Sequence, residues 1–466
     1  MLMETVIGLE IHAQLLTETK LFCGCSGDYF GKEPNTNTCP VCLGMPGTLP
    51  VLNEQAVEYG LRAALALNCE IPERSKFDRK NYFYPDLPKG YQISQFDEPL
   101  AVDGHLIIGG EKIRIRRVHM EEDAGKLVHQ SGGESSVDLN RVGVPLIEIV
   151  TEPDIKSPEE ARKFMERLRQ ILRYVEVCSG DMEKGSLRCD ANISLGEDGK
   201  MGTKTEVKNM NSFSAVEKAL KYEKKRQQKL LEKGEAVEQV TLGWNADAEE
   251  ARPMRSKEEA HDYRYFPEPD LVPLLISDEW KEDVKDELPE LPGQKVKRWK
   301  EEFGLPDYDI GELTEDKYIA NYFEEAVESY DSPKEISNWM MSEVFRILKM
   351  PEAELDDVTP EDFAYLVELV GEGEINDNTA KDVLERAFTE GRTPKDIVES
   401  EGLKRISDEG ELGKMIDEVI EENPDAVEDF RSGNENVLGF LIGQLMSKTE
   451  GQADPNKARE MFQKKL

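Results

Sequence analysis

The chain has 466 residues, with 96 acidic against 59 basic side chains and a formal charge of −37, length enough for two or three domains with ample core. Such acidity argues against a nonspecific nucleic-acid binder, because polyanions repel one another unless a localised basic surface offsets the field. Its apolar runs are too short for a transmembrane helix, the N-terminus lacks a signal-peptide pattern, and its seven cysteines read as reduced or metal-bound thiols, so a cytoplasmic protein is expected.

The first predicted element is a strand over residues 6–15. Alternation turns Leu9, Ile11, Ala13 and Leu15 to one face and Glu10, His12 and Gln14 to the other. Directly after it, Cys23 and Cys25, then Cys39 and Cys42, form two close thiol pairs with thirteen residues between them, the spacing of a knuckle that holds tetrahedral zinc. Four thiolates fill the coordination sphere, so the expected zinc is structural; a disulfide or unrelated buried thiols are the plainer reading. Cys69, Cys178 and Cys189 are isolated and read as packing residues. Residues 77–95 are dense in aromatic, cationic and amide groups, stiffened or turned by Pro85, Pro88 and Gly90, and read either as a ligand loop or as a packed surface loop. Residues 112–122 form a strand whose phase changes at Arg116 and Arg117, which predicts a bulge bringing His119 and Glu121 to the face of Arg114 and Arg116.

Further along, residues 145–152 place Glu148 and Glu152 on one strand face. A capping box at 157–160 opens a helix carrying Phe164, Met165, Leu168, Ile171 and Leu172 at helical spacing. In 185–195 the odd positions Leu187, Cys189, Ala191, Ile193 and Leu195 are apolar, while Ser186, Arg188, Asp190, Asn192 and Ser194 share the other face. Lys204, Glu206 and Lys208 likewise share a face. A helix over 212–233, ended by Gly234, carries Lys218, Lys221, Lys224, Lys225, Arg226 and Lys229, read as a solvated face with RNA-backbone contact as the alternative. Residues 255–271 form a second tyrosine-rich stretch of ligand-loop character.

The Pro- and Gly-containing run 288–293 marks a linker, after which the pattern is helical: 315–329, 333–349, an acidic stretch over 351–374 with nine carboxylates and no Lys or Arg, and a last unit from Leu403 to Leu466. In that unit Leu438, Phe440, Leu441 and Leu445 are the expected core, and Ser447, Lys448, Lys457, Arg459, Lys464 and Lys465 form a local basic group. Strands followed by helices make an α+β chain, with domains expected at 1–292, 293–402 and 403–466.

Five strands therefore offer carboxylates, imidazole and cations to a common surface. Carboxylates with imidazole suit Mg2+ or Mn2+, the usual partners of nucleotide phosphates, and Arg and Lys from neighbouring strands suit phosphoryl transfer. An ordinary wet sheet face is the alternative. The chain contains no GxxxxGK[ST] loop, no GxSxG and no Cys/His pairing of a hydrolase nucleophile, and His105, His129 and His261 read as isolated polar residues.

The residues 8–12, the four cysteines, and the runs 83–94, 119–125, 137–141, 145–154, 185–194 and 262–271 resemble, in this order, the B-subunit family of aspartyl/glutamyl-tRNA amidotransferases over nearly the whole chain. The resemblance implies an antiparallel-sheet cradle domain related to glutamine synthetase, an all-helical domain and a helical tail of the YqeY type. It implies ATP as cosubstrate, a glutaminase A subunit, a small C subunit and a misacylated tRNA as partners, and no membrane. The implied reaction phosphorylates the side-chain carboxylate of Asp-tRNA(Asn) or Glu-tRNA(Gln) and amidates it with ammonia; a noncatalytic zinc-containing tRNA-binding scaffold, or a ligase for free amino acids, is the rival reading. By motif position, Glu10, His12 and one or both of Glu121 and Glu122 hold magnesium, strand phase favouring Glu121. Glu148, Asp190 and Glu206 join these as catalytic carboxylates, while Lys80, Lys89, Ser94, Arg141, Arg188, Asn192 and Lys208 are the expected nucleotide-binding residues. Gln452 stands where the family often has Lys.

Overall fold

Two-residue alternation decides the architecture of the N-terminal part. The computed structural model describes residues 3–129, 134–197, 201–254, 263–404, 409–434, 436–449 and 453–466; the stretch 255–262, with His261, and Gln452 lie outside the described residues. The chain divides into the compact units Met1–Gln294 and Lys295–Leu466, and no helix among the described residues is long and apolar enough to cross a membrane.

In the first unit the strands are β1 (Met3–Gln14), β2 (Arg74–Ser75), β3 (Asp78–Asn81), β4 (Tyr91–Ser94), β5 (Ala101–Ile108), β6 (Glu111–Glu122), β7 (Lys126–His129), β8 (Ser135–Asp138), β9 (Pro145–Thr151), β10 (Leu187–Glu197), β11 (Thr205–Met210), β12 (Thr241–Asn245), β13 (Glu250–Pro253), β14 (Phe266–Pro267) and β15 (Leu274–Leu275). Eight of them make one sheet in the order β13-β12-β11-β10-β1-β9-β6-β5, and β14-β3-β4 form a smaller one. Every neighbouring pair in the large sheet is antiparallel except β11 with β12. Ile7, Leu9, Ile11 and Ala13 of β1 and Leu187, Cys189, Ala191, Ile193 and Leu195 of β10 all enter one hydrophobic core, each large side chain contributing about 1.5–3 kcal/mol by leaving water. The bulge expected in β6 is present: register shifts between Ile115 and Arg117, so Ile113, Ile115, Val118 and Met120 all stay in the core.

Helices α1 (Glu54–Ala66), α2 (Pro158–Tyr174) and α3 (Phe213–Glu232) begin at Asn53, Ser157 and Ser212, whose side chains accept from backbone N–H groups in the first turn. Their apolar stripes complete the same core. The basic residues of α3 are partly neutralised, Lys218 by Glu249 and Lys221 by Glu159 and Glu217. On its buried side Gln227 donates to the Ile193 carbonyl (3.1 Å) and accepts from Leu195 N–H (3.0 Å), while Thr205 donates to Glu223 (2.7 Å). A satisfied buried polar network of this kind fixes the helix on β10 and β11 in one register.

In the second unit the helices follow the predicted pattern with three corrections. The run expected as a linker already enters a helix at Pro292–Glu302, since proline is compatible with a first helical turn. The helix expected over 333–349 is interrupted by a π-turn at Met340–Val344. Phe440, expected in the tail core, is 50% exposed, whereas Leu438, Leu441 and Leu445 pack with Leu412, Ile416 and Phe462; residue 440 falls off the stripe that the other three define on Val437–Lys448.

Candidate metal and phosphate site on the polar sheet face

With one sheet face given to the core, the other gathers the polar residues by register. His12 lies opposite Arg188 on one side and Glu148 on the other, Glu10 lies opposite Asp190, His119 opposite Glu148, and Asn192 opposite Glu206. His12 Nε2 is 3.3 Å from Glu121 Oε1 and 3.5 Å from Glu148 Oε2. The second imidazole, His119, places Nε2 3.1 Å from Glu148 Oε2 and 3.8 Å from Glu121 Oε2. Ligand atoms of His12, Glu121 and Glu148 lie within 4.8 Å of one another. One nitrogen and two carboxylate oxygens form a hard donor set that fits Mg2+ or Mn2+ better than the thiolate set below.

Electrostatics agrees with that fit. Burial disfavours the charged form of both carboxyls, yet His12 beside Glu121 holds that carboxyl below the usual range, and His119 with His12 holds Glu148 well below it. Burial pushes the His12 imidazole down, but the hydrogen bonds to Glu121 and Glu148 raise it to about 10. A proton on His12 occupies the place between two carboxylates that a divalent cation would otherwise take.

Cations surround the group. The Lys80 ammonium, on β3, lies 5.0 Å from the ring centre of Tyr263 and 5.8 Å from that of Tyr82, and makes no side-chain hydrogen bond or ion pair among the described residues; burial opposes its charge, and the Glu121 and Glu148 carboxylates hold it protonated. Lys208 pairs with Asp190 and lies 3.4 Å from Glu206. Ser94 donates to Glu121 (3.4 Å), and Asn192 donates to Glu10 (3.0 Å). Arg188 and Arg141 converge on Asp123, at 2.8 and 3.5 Å, and Gln14 donates to the same carboxylate at 2.9 Å.

The structure thus brings together His12, Glu121 and Glu148, with Lys80 and Ser94 beside them and Glu10, Asp190, Asn192, Glu206 and Lys208 further along the same face. It engages Glu122 elsewhere: this buried carboxylate pairs with Lys89 and accepts from Ile93 N–H at 3.0 Å, beside the cysteine knuckle. Asp123 is a site residue that sequence patterning misses. It follows β6 immediately and is 3% exposed, and its sequence signals are membership of the acidic run 121–123 and of the family-like run 119–125.

Sγ atoms of Cys23, Cys25, Cys39 and Cys42 also lie within 4.8 Å of one another, a soft tetrathiolate set suited to zinc. Hydrogen bonding from Cys23 and the backbone of Cys39, together with the charge of Lys20, lowers the Cys42 thiol to about 5 although burial opposes it. Lys20 is fully buried, its ammonium donating to the Asn37 carbonyl at 2.7 Å and lying 3.9 Å from Cys42 Sγ. A cation packed against the thiols offsets the negative charge that a tetrathiolate centre carries.

Among the described residues, cavities open on the sheet at two places that bear on the site. One of about 700 Å³ is lined by Glu4, Lys112, Arg114, Asp154 and Lys156, where Arg114 is already committed to Asp154 at 2.6 Å. The other, about 260 Å³, includes Gly8, Glu10 and Asn192 of the polar face.

Residues 5–282 match the family described as the GatB/GatE catalytic domain, and residues 321–466 the family described as the GatB domain. The chain is 54% identical to the B subunit of the aspartyl/glutamyl-tRNA(Asn/Gln) amidotransferase of Thermodesulfovibrio yellowstonii, over 99% of each chain. The proteins of the same name from Moorella thermoacetica and Thermotoga maritima are 54% and 52% identical, over 99% of this chain and 99% and 98% of theirs. With both family matches and full-length relatives at this identity, the chain belongs to the B-subunit family of aspartyl/glutamyl-tRNA(Asn/Gln) amidotransferases.

Proposed function

We propose that this chain is the subunit of a tRNA-dependent amidotransferase that activates a tRNA-linked side-chain carboxylate with ATP and passes it to ammonia. The observation that carries the reading is the imidazole and two carboxylates gathered on one sheet face beside Lys80. Carboxylates are poor acyl donors, so a leaving group must first be made. The carboxylate of Asp-tRNA(Asn) or Glu-tRNA(Gln) attacks the terminal phosphorus of ATP, ADP departs with the bridging oxygen, and an acyl phosphate results. Ammonia then attacks the acyl carbon, inorganic phosphate leaves with the C–O bonding pair, and nitrogen sheds a proton.

In this reading His12, Glu121 and Glu148 would hold Mg2+ or Mn2+, which would supply charge neutralisation for phosphoryl transfer. Glu10 continues that acidic row. Lys80, Lys208 and Arg188 face the phosphates, and Arg141 holds Arg188 in place through Asp123. Asp190, opposite Glu10 and paired with Lys208, is the carboxylate available to take the proton that ammonia loses, and Glu206, which lies further along the face opposite Asn192, helps to hold Lys208. The zinc knuckle is structural. The sheet corresponds to a glutamine-synthetase-like cradle over 1–292, followed by a helical domain over 293–402 and a tRNA-binding tail over 403–466. A glutaminase A subunit supplies ammonia, a small C subunit joins the two, and the assembly is cytoplasmic.

The noncatalytic scaffold is not favoured, since a binding scaffold has no use for a buried metal-type donor set. The test is ATP turnover by the reconstituted complex with Asp-tRNA(Asn) and Glu-tRNA(Gln) compared side by side. Metal-dependent, charged-tRNA-dependent release of phosphate is expected; turnover unaffected by charged tRNA would remove the reading.

A further inference from the structure

Arg79 and Lys80 are neighbours on β3 and face opposite ways, and the first holds what covers the second. Five rings run in contact past the Lys80 ammonium: Tyr84 to Tyr82 at 6.3 Å between centres, Tyr82 to Tyr263 at 6.0 Å, Tyr263 to Tyr265 at 6.1 Å, and Tyr265 stacked on Phe96 at 4.2 Å. Burial raises the Tyr265 hydroxyl to about 12, with Lys80 opposing the rise and Glu121 and Glu148 adding to it, so this aromatic row stands within the field of the donor set.

Two of the five rings come from a segment with little backbone support. Strand β14, which follows them, only pairs Phe266 with Arg79 and Pro267 with Asp78, and its proline has no N–H to give. Arg264, between the two tyrosines, has φ +43°, a left-handed conformation that persists in a residue of this kind where its surroundings impose it. Side chains do so here. Asn81 donates to the carbonyls of Tyr263 (3.2 Å) and Arg264 (2.9 Å). Arg79 clamps the far end: its Nε and Nη2 donate to the two oxygens of the buried Glu268 at 2.7 and 2.8 Å, and Nη2 also donates to Asp270 at 3.2 Å. The guanidinium lies 4.2 Å from the ring centre of Tyr91. Lysine cannot copy a two-pronged pair stacked on an aromatic face.

We propose that Arg79 and Glu268 are positioning residues that lock residues 263–270 beside Lys80, so that the aromatic row keeps water from the activated carboxylate while ammonia attacks it; the inference rests on the ATP-dependent reading above. An acyl phosphate is open to water as well as to ammonia. Water adds to the acyl carbon, inorganic phosphate leaves with the C–O bonding pair, the added oxygen sheds its protons, and the tRNA-linked carboxylate returns, so that one ATP is lost without an amide. Exclusion of water from the site prevents this side reaction.

The measurement is phosphate released per amide formed by the full complex with charged tRNA. Arg79→Lys, which keeps the charge and loses the fork, is expected to raise that ratio about threefold or more over the unmodified complex, and Glu268→Gln to act in the same direction. Added ammonium salt should bring the ratio back down, because ammonia and water compete for one carbon. A merely structural role lowers ATP turnover and amide formation together. An unchanged ratio in folded Arg79→Lys therefore overturns the proposal, as does a raised ratio that ammonium leaves untouched. Should Arg79→Lys and Glu268→Gln fail to fold, Asp270→Asn, at the exposed rim of the same clamp, decides by the same ratio. Absence of charged-tRNA-dependent phosphate release from the unmodified complex removes the underlying reading, whereas an unchanged ratio with that release intact removes the clamp alone.

Discussion

His12 on β1 and Glu148 on β9 stand opposite each other in an antiparallel ladder, Nε2 to Oε2 at 3.5 Å, and His119 reaches the same oxygen at 3.1 Å from β6 on the far side. One carboxylate thus sits between imidazoles on both flanking strands. A buried carboxylate is costly alone, and here the sheet register itself supplies its partners. Were a divalent cation held by His12 and Glu148, His119 would be the neighbour that orients Glu148.

Glu10→Gln and His12→Ala are therefore expected to lower amide formation about a hundredfold or more while the partner subunit's glutaminase activity stays measurable. No glutaminase nucleophile pattern is visible in this chain. Equal loss of both activities with the complex intact would count against separate sites.

Zinc removal should act on folding. Cys39→Ser deletes one of four thiols that close the knuckle, and metal binding energy in such a centre is folding energy. Zinc content, melting temperature and activity should fall together. A folded, metal-free and active variant would show that the knuckle does not depend on the ion.

A pH-dependent contribution is expected in the helical unit. Trp299 Nε1 donates to Glu324 at 2.7 Å, and Lys295 and Arg298 pair with the same carboxylate. Burial raises the Glu324 carboxyl, but Lys295, Trp299 and Arg298 outweigh it and hold the group below its ordinary 4.5. A depressed folded value stabilises above the unfolded value and is lost on acidification. Glu324→Gln should cost about 2 kcal/mol at pH 7, and the difference from the unmodified chain should shrink as pH falls below about 4.5. Thermal melts at pH 7 and pH 4 decide; an unchanged gap would exclude titration of Glu324 as the cause.

Much of this was legible because strand alternation is strict. Leu9, Ile11 and Ala13 could only be buried if Glu10 and His12 shared the other face, and the phase change at Arg116 required a bulge before His119. What alternation does not carry is pairing. That Glu148 lies across from both His12 and His119, and that Asp123 gathers Gln14, Arg141 and Arg188, depends on strand order, which period-two patterning leaves open. Glu122 illustrates the limit: one residue from Glu121 in sequence, it binds Lys89 instead. Phe440 is the helical counterpart, apolar by type yet off the buried stripe.

The tail gives the last expectation. Its basic group divides in two: Lys448 pairs with Glu418 (2.7 Å) and Glu422 (2.8 Å), and Lys465 with Asp417 (2.6 Å), so these two lysines brace the tail helices. Lys457, Arg459 and Lys464, on the helix Pro455–Lys465, make no ion pair among the described residues. Three cations of this kind are enough to position an RNA backbone, and each phosphate neutralised releases counterions. Deleting residues 404–466 should raise the KM for charged tRNA, lower the log–log salt slope by about 2 to 3, and leave ATP affinity unchanged. Replacing Lys457, Arg459 and Lys464 together by Ala should reproduce the slope change in the folded protein, whereas Lys448→Ala should act on stability. Should the truncated chain bind charged tRNA as tightly as the full chain at every salt concentration, the tail has another task.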